Sequence, residues 1–204
     1  MASSHLKELI RRRPELAPCK ASIADAFAAL RACFLSGCKV LLCGNGGSAA
    51  DADHWSAELL KGFCRERPLS AKLRKGLPRD ISRHIQGALP AIPLSSFPAL
   101  SSAFANDVSP ELTFAQLVAA LGRRGDTLIA LSTSGNSRNV CLAAQTARAR
   151  GMLTIALTGR GGGRLAKLAD IAVRVPARET HLVQELHLPV YHCLSLMLED
   201  AFFD

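Results

Sequence analysis

Five short apolar runs alternate with stretches of helical periodicity, and this alternation limits the fold more than any other feature of the chain. The runs span residues 39–43, 91–95, 126–131, 152–157 and 171–175. Each is apolar almost throughout, which is typical of strands buried on both faces of a parallel sheet. Parallel strands need crossover connections, which are usually helices. The sequence therefore predicts an α/β fold, with a parallel sheet of about five strands covered by helices on both faces.

Length and composition are those of one globular domain. The 204 residues are 49% hydrophobic and 21% charged, and no apolar run is long enough to cross a membrane. Charge throughout residues 1–14 argues against a secretory signal. Seven cysteines with no CxxC pair indicate free thiols in a reducing cytosol and argue against a thiol-ligated zinc site. We therefore expect a cytoplasmic protein without a membrane partner.

The net charge of +8 is compatible with binding to nucleic acid or to small phosphorylated ligands. The basic residues are scattered, and one Trp and one Tyr offer few stacking platforms for bases. The composition favours phosphorylated small molecules over nucleic acid.

A glycine-rich loop follows the first predicted strand. Its residues are Gly44, Asn45, Gly46, Gly47 and Ser48, and helical spacing begins near Ala49. Free N–H groups at the start of a helix favour an anion. The loop also fits the dinucleotide pattern G-x-G-x-x-A, but the acidic residue expected about twenty positions later is absent. The sequence predicts an anion-binding loop and no nucleotide cofactor.

A second candidate loop follows the third predicted strand. It contains the hydroxyl residues Ser132, Thr133, Ser134 and Ser137 ahead of another helix. An ordinary helix cap needs one hydroxyl, whereas several hydroxyls and backbone N–H groups can satisfy the oxygens of a phosphate monoester. Ligands of parallel sheets bind at the carboxyl ends of the strands, where both loops are expected to lie.

Titratable side chains occur at helical spacings in two predicted helices. His54 and Glu58 are four residues apart, and Gln184 and His192 are eight apart. Together these four side chains could supply the nitrogen and oxygen ligands of zinc or a similar divalent ion. A Glu–His pair could equally move protons between adjacent carbon atoms. Spacing alone does not decide between these two roles.

Four segments resemble the sugar isomerase (SIS) domain family, and within it the bacterial sedoheptulose-7-phosphate (phosphoheptose) isomerases. They are GNGGSAADADHWSAEL, LSTSGNSRNV, ALTGRGGG and the VQELH segment with its later histidine. The resemblance covers most of the chain and implies a flavodoxin-like, three-layer αβα sandwich. It also implies a homotetramer with active sites between subunits. Residues 1–204 would form one SIS domain, with an N-terminal helical segment 1–36.

The resemblance implies roles for particular residues. Glu58 matches the catalytic base of the family and His192 the acid, and Asn45 matches a substrate-contacting asparagine. Gly46 and Gly47 belong to the first loop. The residues that match the family's phosphate-binding residues are Ser48, Ser132, Thr133, Ser134 and Ser137. Gln184 contacts substrate or metal, and the zinc ligands of some members match His54, Glu58, Gln184 and His192. The implied activity is aldose–ketose isomerisation of a phosphorylated sugar that supplies heptose for surface polysaccharide.

The chain departs from the family pattern at several positions. Phe97 replaces a usual aspartate, Gly62 replaces an arginine, and His181 falls near a usual acidic residue. Residues 69–89 form a basic insertion, in which the pattern predicts a short helix around 81–85. Pro189 lies inside the last predicted helix, where it should kink or break the helix. The three substitutions concern sugar contacts more than the phosphate loops, and they leave open a different sugar phosphate as substrate.

Two alternatives to an isomerase follow from the same resemblance. One is a non-catalytic SIS protein that binds a replication initiator; such relatives lack residues matching Glu58 and His192, both of which are present here. The other is a sugar-phosphate sensor that uses the basic insertion on DNA, but no helix-turn-helix pattern supports it. The isomerase is the favoured interpretation.

Overall fold

The computed structural model describes residues 2–203, and its five strands form one parallel sheet. The strands are β1 (Val40–Cys43), β2 (Ala91–Pro93), β3 (Thr127–Ser132), β4 (Leu153–Thr158) and β5 (Ile171–Arg174), in the order β2-β1-β3-β4-β5. All neighbouring pairs are parallel. The predicted number and position of the strands are confirmed, as is the α/β class.

Ten helices connect and cover the strands within residues 2–203. They are α1 (Ala2–Arg12), α2 (Lys20–Leu35), α3 (Gly47–Leu60), α4 (Ala71–Lys75), α5 (Arg79–Ser82), α6 (Pro98–Asp107), α7 (Thr113–Leu121), α8 (Arg138–Ala149), α9 (Leu165–Leu168) and α10 (Thr180–Phe203). In that part of the chain no helix has the length and hydropathy needed to cross a bilayer.

The sheet is buried on both faces because alternate strand side chains enter two different cores. Val40 and Leu42 pack with α1, α2, α3 and α10, whereas Leu41 and Cys43 pack with α7 and α8 on the opposite face. Successive side chains of a strand point to opposite faces, so a continuously apolar strand fills both cores. The result is the expected three-layer αβα sandwich.

The N-terminal segment is joined to the last helix. α1 packs on α10, and His5 Nε2 lies 2.8 Å from Asp200 Oδ2. A 3₁₀ segment (Pro14–Cys19) leads into α2, which ends before Gly37 at a positive φ of 70°. The N-terminal helices thus belong to the same core as the sheet.

Three local expectations differ from the structure. The insertion contains α4 and α5 in place of one helix around 81–85, because Ser70 accepts a hydrogen bond from Leu73 N and caps α4, and Pro78 precedes α5. α3 begins at Gly47, two residues early, since Ala50 N already bonds to Gly46 O. α10 runs through Pro189 without a break. The carbonyl that Pro189 cannot bond is four residues earlier, at the exposed Glu185.

Candidate active site

The site is placed at the junction of β1 and β3, in the middle of the sheet. The chain leaves β1 into α3 on one face and leaves β3 into α8 on the other face. In a sheet of order 2-1-3-4-5 this is the topological switch point, where a crevice opens beyond the carboxyl ends of the strands. Both candidate loops border that crevice.

The first loop makes close backbone contacts that exclude larger side chains. Gly46 has a φ of 53°, and a Cβ on Gly44 would lie 2.6 Å from Ser48 O. Asn45 exchanges two amide hydrogen bonds of 2.9 Å with Asn139. This pair ties the first loop to α8 across the crevice.

The second loop holds its hydroxyls together at the start of α8. Ser132 Oγ and Ser137 Oγ are 2.9 Å apart, and Ser134 Oγ accepts from Asn136 N at 3.1 Å. Ser137 stands at the N-cap of α8 but makes no capping hydrogen bond with its side chain. The hydroxyls of Ser132 and Ser137 therefore do not serve the helix end, which leaves them for an anion.

A third glycine-rich loop, residues 159–163, supports the second loop by direct backbone contact. Gly135 has a φ of 68°, and a Cβ there would lie 2.1 Å from Gly162 O. Gly159 N donates to Thr133 O, and Leu165 N donates to Gly135 O. No functional role was predicted for this loop. Its glycines, placed after a neighbouring parallel strand, were the available signal.

Glu58 and His192 converge with His54 toward the carboxyl end of α3, the helix that begins at the first loop. One ligand atom from each of the three side chains lies within 4.8 Å of the others. His54 Nε2 is 3.1 Å from Glu58 Oε1, whereas the buried atoms Glu58 Oε2 and His192 Nε2 have no hydrogen-bond partner within the described residues. Buried polar atoms without a partner are rare in proteins, so they point to a ligand.

A buried tyrosine fixes the orientation of His54. Tyr191 Oη lies 3.3 Å from Asp51 Oδ1 and 2.9 Å from His54 Nδ1, and its ring stacks on Trp55. When the phenol donates to Asp51, His54 Nδ1 donates to the phenolic oxygen; Nε2 of the neutral ring is then an acceptor with a lone pair that a metal can take, and it donates to Glu58 only when the ring is protonated. Neither Asp51 nor Tyr191 is predicted from the sequence. Tyr191 is next to His192 in the chain. Its contact with Asp51, however, joins residues 140 positions apart, so no local sequence pattern could predict it.

His192 has a less polar environment than His54. Burial, followed by the neighbouring charge of His54, lowers the pKa of His192, and Glu58 only partly opposes this. The ring also packs against Phe63, with ring centroids 5.3 Å apart. A neutral imidazole that donates an N–H hydrogen bond is thus the form expected near neutral pH.

A buried ion pair holds the segment after α3 in position. Glu199 accepts hydrogen bonds from Phe63 N, Cys64 N and Arg67 Nε at 2.8–2.9 Å. Arg67 also donates to the carbonyls of Glu58 and Leu59. Burial raises the pKa of the Glu199 carboxyl, but these hydrogen bonds outweigh it and keep that pKa below its ordinary value. The last turn of α3 is consequently anchored to α10.

The remaining predicted residue, Gln184, lies at the first loop. Its amide covers Gly47, where an added Cβ would be 2.4 Å from Nε2. Its position eight residues before His192 corresponds to about 12 Å along a helix axis. His187, on the intervening turn, is fully buried, and desolvation lowers its pKa to about 4. It therefore belongs to the core.

The three departures from the family pattern occupy different surroundings. Phe97 packs against the α7–α8 core, which suits an apolar side chain. Gly62 N donates to Gln86 Oε1 at 2.6 Å, and a Cβ there would be 2.5 Å from Arg65 O. His181 is exposed in the first turn of α10. The insertion thus takes up the space around Gly62.

The donor set of the cluster suits a divalent metal. Two imidazoles and a carboxylate are common ligands of zinc, and Glu58 Oε2 and His192 Nε2, which have no partner among the described residues, are free to coordinate it. His54, whose Nδ1 is bonded to Tyr191, has the outer contact that metal-binding histidines usually make. The residues fit such an ion.

Fold and site together define an α/β protein with candidate anion-binding loops and a His/Glu cluster, and comparisons with known proteins narrow the class. A family model described as the SIS domain matches residues 99–198. The chain is 43% identical over 185 residues to a phosphoheptose isomerase of a Shewanella species, covering 89% of this chain and 84% of that protein. It is 40% identical over 186 residues to the phosphoheptose isomerase of Rhodospirillum rubrum, covering 91% and 89%.

A solved structure extends this similarity to the fold. The phosphoheptose isomerase of Neisseria gonorrhoeae superimposes with a TM-score of 0.77 at 33% identity, covering 97% of this chain and 96% of that one. The chain belongs to the SIS-domain family of phosphoheptose isomerases.

Proposed function

We propose that this protein is an aldose–ketose isomerase that converts sedoheptulose 7-phosphate to D-glycero-D-manno-heptose 7-phosphate. The observation that carries the proposal is the convergence of Glu58 and His192 from separate helices, the first of which begins at a candidate anion-binding loop. Its relatives, named phosphoheptose isomerases, support the substrate class. The product would supply heptose for surface polysaccharide.

The two loops would bind the phosphate, and Asn45 would contact the sugar. The second loop contributes Ser132, Thr133, Ser134 and Ser137, and the first contributes Ser48 with the N–H groups around Gly46 and Gly47. Ser48 is buried at the start of α3, where the helix dipole favours negative charge. No lysine is needed at such a site, because hydroxyls and backbone N–H groups satisfy the phosphate oxygens.

Glu58 and His192 would then move the protons. Glu58 removes a proton from C1 of the ketose and returns it to C2, while the carbonyl passes from C2 to C1. His192 gives its N–H proton to O2, and the same nitrogen takes back the proton that O1 loses as the new carbonyl forms. The neutral imidazole favoured by burial suits this role, because it can supply a proton to one oxygen and recover one from the other with no net change.

Zinc would be held by His54, Glu58 and His192, with Gln184 as a fourth ligand. When bound, the ion would act as a Lewis acid on the substrate oxygens. Glu58 and His54 sit four residues apart on one face of α3, so no backbone change is needed to present both. Gln184 would have to turn its amide away from Gly47.

We also propose a cytoplasmic homotetramer in which residues 1–204 form one SIS domain. One core joins α1, the sheet and α10, which supports a single domain. The seven cysteines are free, as in a reducing compartment. Leu60, Leu182 and Leu188 are exposed on the two helices that carry the site, and large exposed apolar side chains there suit a subunit interface.

The test is an NMR assay with sedoheptulose 7-phosphate in D₂O, with and without a chelator and added zinc. We expect aldose phosphate to form with deuterium incorporated beside the carbonyl. Five- and six-carbon ketose phosphates in the same assay determine whether Phe97, Gly62 and His181 alter the sugar preference. No conversion of any of these phosphates, with or without zinc, would exclude the isomerase and favour the non-catalytic alternative.

A further inference from the structure

The basic insertion forms a cavity of its own, separate from the loops at the sheet. The cavity has a volume of about 820 Å³ and is lined only by residues from 66–86. Small-molecule sites usually span roughly 300–1,000 Å³, so this cavity has room for a nucleotide-sized ligand. None of the proposed substrate, metal or catalytic residues lines it.

The lining has an excess of positive charge. Arg74, Arg79 and Arg83 line the cavity, against the single carboxylate of Glu66. The side chains of these three arginines make no ion pair or hydrogen bond within residues 2–203. By contrast, Arg67 at the base of the cavity is fully engaged by Glu199 and two carbonyls. Arginine forks that lack a protein acceptor match phosphate oxygens, which they can bind in bidentate fashion.

Part of the remaining lining is apolar. Leu77 and Ile85 face the same space as the arginines, and Pro68 and Leu69 adjoin the base. A bare anion would leave this surface uncovered, whereas a ring attached to a phosphate would cover it. The combination therefore favours a phosphorylated molecule that also carries a ring.

Two lining residues reach the active-site helix. Arg67 donates to the carbonyl of Glu58, and Gln86 accepts from Gly62 N, next to the Phe63 that packs on His192. Any displacement of Arg67 or Gln86 by a ligand would act on the backbone between Glu58 and Phe63. This is a contiguous physical link between two sites.

We propose that the cavity of the insertion is an effector site for a small molecule carrying a diphosphate group on a ring-containing carrier. Its occupancy is transmitted to Glu58 and His192 through Arg67 and Gln86. Three guanidinium groups against one carboxylate leave a net charge of about +2, which the roughly three negative charges of a terminal diphosphate more than offset. The proposal concerns binding and does not depend on the sugar that the enzyme isomerises.

The test uses calorimetric titration with ADP, pyrophosphate and adenosine at physiological ionic strength. To remove binding at the phosphate loops, the titrations are repeated in a Ser132→Ala/Ser137→Ala protein. We expect saturable binding of ADP in both proteins, weaker binding of pyrophosphate and none of adenosine. The Arg79→Ala/Arg83→Ala variant should lose tenfold or more in affinity for ADP.

The matched control is Lys72→Ala/Lys75→Ala, which removes the same charge from exposed side chains of α4 that do not line the cavity. It should change the affinity less than twofold. An equal loss in both double variants, equal binding of adenosine, or binding only of a single-stranded RNA oligonucleotide would overturn the proposal.

Transmission is measured separately from turnover. In the Ser132→Ala/Ser137→Ala protein, ADP should shift the imidazole NMR signals of His192, and this shift should vanish in Arg79→Ala/Arg83→Ala. Binding of ADP without any change in those signals would refute the link to the active site.

Discussion

The phosphate loops and the Glu58–His192 cluster are built in opposite ways. The loops satisfy their own polar groups: Ser132 pairs with Ser137, and Gly135 locks against Gly162. In the cluster, the buried atoms Glu58 Oε2 and His192 Nε2 have no hydrogen-bond partner among residues 2–203. Binding a constant group such as phosphate favours a rigid, preformed cradle, whereas proton transfer needs atoms that remain available for the reacting molecule. The difference teaches that the loops have their internal hydrogen bonds and contacts in place before substrate binds, whereas the cluster keeps polar atoms available for the substrate.

The largest expected effect comes from the cluster. Glu58→Gln should lower kcat about 10³-fold or more, because removal of a general base costs about 10²–10⁴-fold and a ligand of the proposed zinc is weakened as well. Affinity for the sugar phosphate, measured by calorimetry, should stay within about fivefold. Glu15→Gln, at an exposed position in the 3₁₀ segment before α2, serves as the control with unchanged turnover. Retention of a tenth of the wild-type kcat in the first variant would contradict the assignment.

The next largest effect should come from disrupting the rigid half of the site, in which the second loop contacts residues 159–163. Gly135→Ala introduces a side chain at a φ of 68° and 2.1 Å from the carbonyl oxygen of Gly162. Because both the strain and the clash involve backbone, we expect a loss of about 3 kcal/mol or more in the free energy of unfolding. Urea denaturation measures it.

Gly161→Ala is the matched control in the adjoining loop, where an added Cβ meets nothing within 4 Å. It should change stability by less than about 1 kcal/mol. If the two substitutions had similar effects, the contact between the loops would not be what stiffens the phosphate cradle.

A smaller effect tests whether the amino ends of the central strands, opposite the loops, are independent of both the loops and the cluster. Asp126 accepts hydrogen bonds from Lys39 N, Lys39 Nζ and Arg123 N. Burial raises the pKa of Asp126, but these bonds outweigh it, so that pKa lies below its ordinary value. Asp126→Asn should destabilise the fold by about 1–3 kcal/mol at pH 7 without changing kcat.

The sign of the pH dependence follows from the lowered pKa. The stabilisation by Asp126 is fully present above the unfolded pKa of about 4 and is lost as the pH falls through the lower folded value. The difference in unfolding free energy between wild type and Asp126→Asn should be constant from about pH 5 to 8 and shrink below about pH 4. A difference that grew on acidification would refute this account.

The smallest effect on stability is expected at the contact between the first loop and α10, the helix that carries His192. Gly47→Ala meets only the amide of Gln184, the movable end of a side chain, so the loss of stability should stay below about 1 kcal/mol. Turnover should fall several-fold because Gln184 is displaced. The double variant Gly47→Ala/Gln184→Ala should be no slower than Gln184→Ala alone; additive losses would show that Gly47 acts independently of Gln184.

The same contrast explains what could be predicted from the sequence. The five strands and both loops are local patterns, because a buried parallel strand is a continuous apolar run and a tight anion-binding turn needs glycines and hydroxyls in a row. The strand ends and the α8 start fell within a few residues of those in the structure. His54 and Glu58 were recognisable because they are one helical turn apart.

Other parts of the site depend on contacts that are distant in the chain. The Asp51–Tyr191 contact joins residues 140 positions apart, and Arg67–Glu199 joins residues 132 apart. Neither pair has a spacing that periodicity can reveal, since packing of α3 on α10 brings them together. The prediction of one helix around 81–85 was wrong in number and position, because capping by Ser70 and the position of Pro78 decide where such short helices begin.

α10 has a consequence that extends across the whole molecule. A single 24-residue helix presents Gln184 at the first loop, His192 at the cluster with Glu58 and Glu199 at the segment that leads into the insertion, and its Asp200 also contacts His5 of the first helix. Since these residues lie on one helix, a small rotation of α10 would shift Gln184, His192 and Glu199 together. It would therefore alter the first loop, the cluster and the anchoring of the insertion at the same time. Substitutions that adapt such an enzyme to a new sugar are therefore most easily made in the loops around α10, with the position of the helix unchanged.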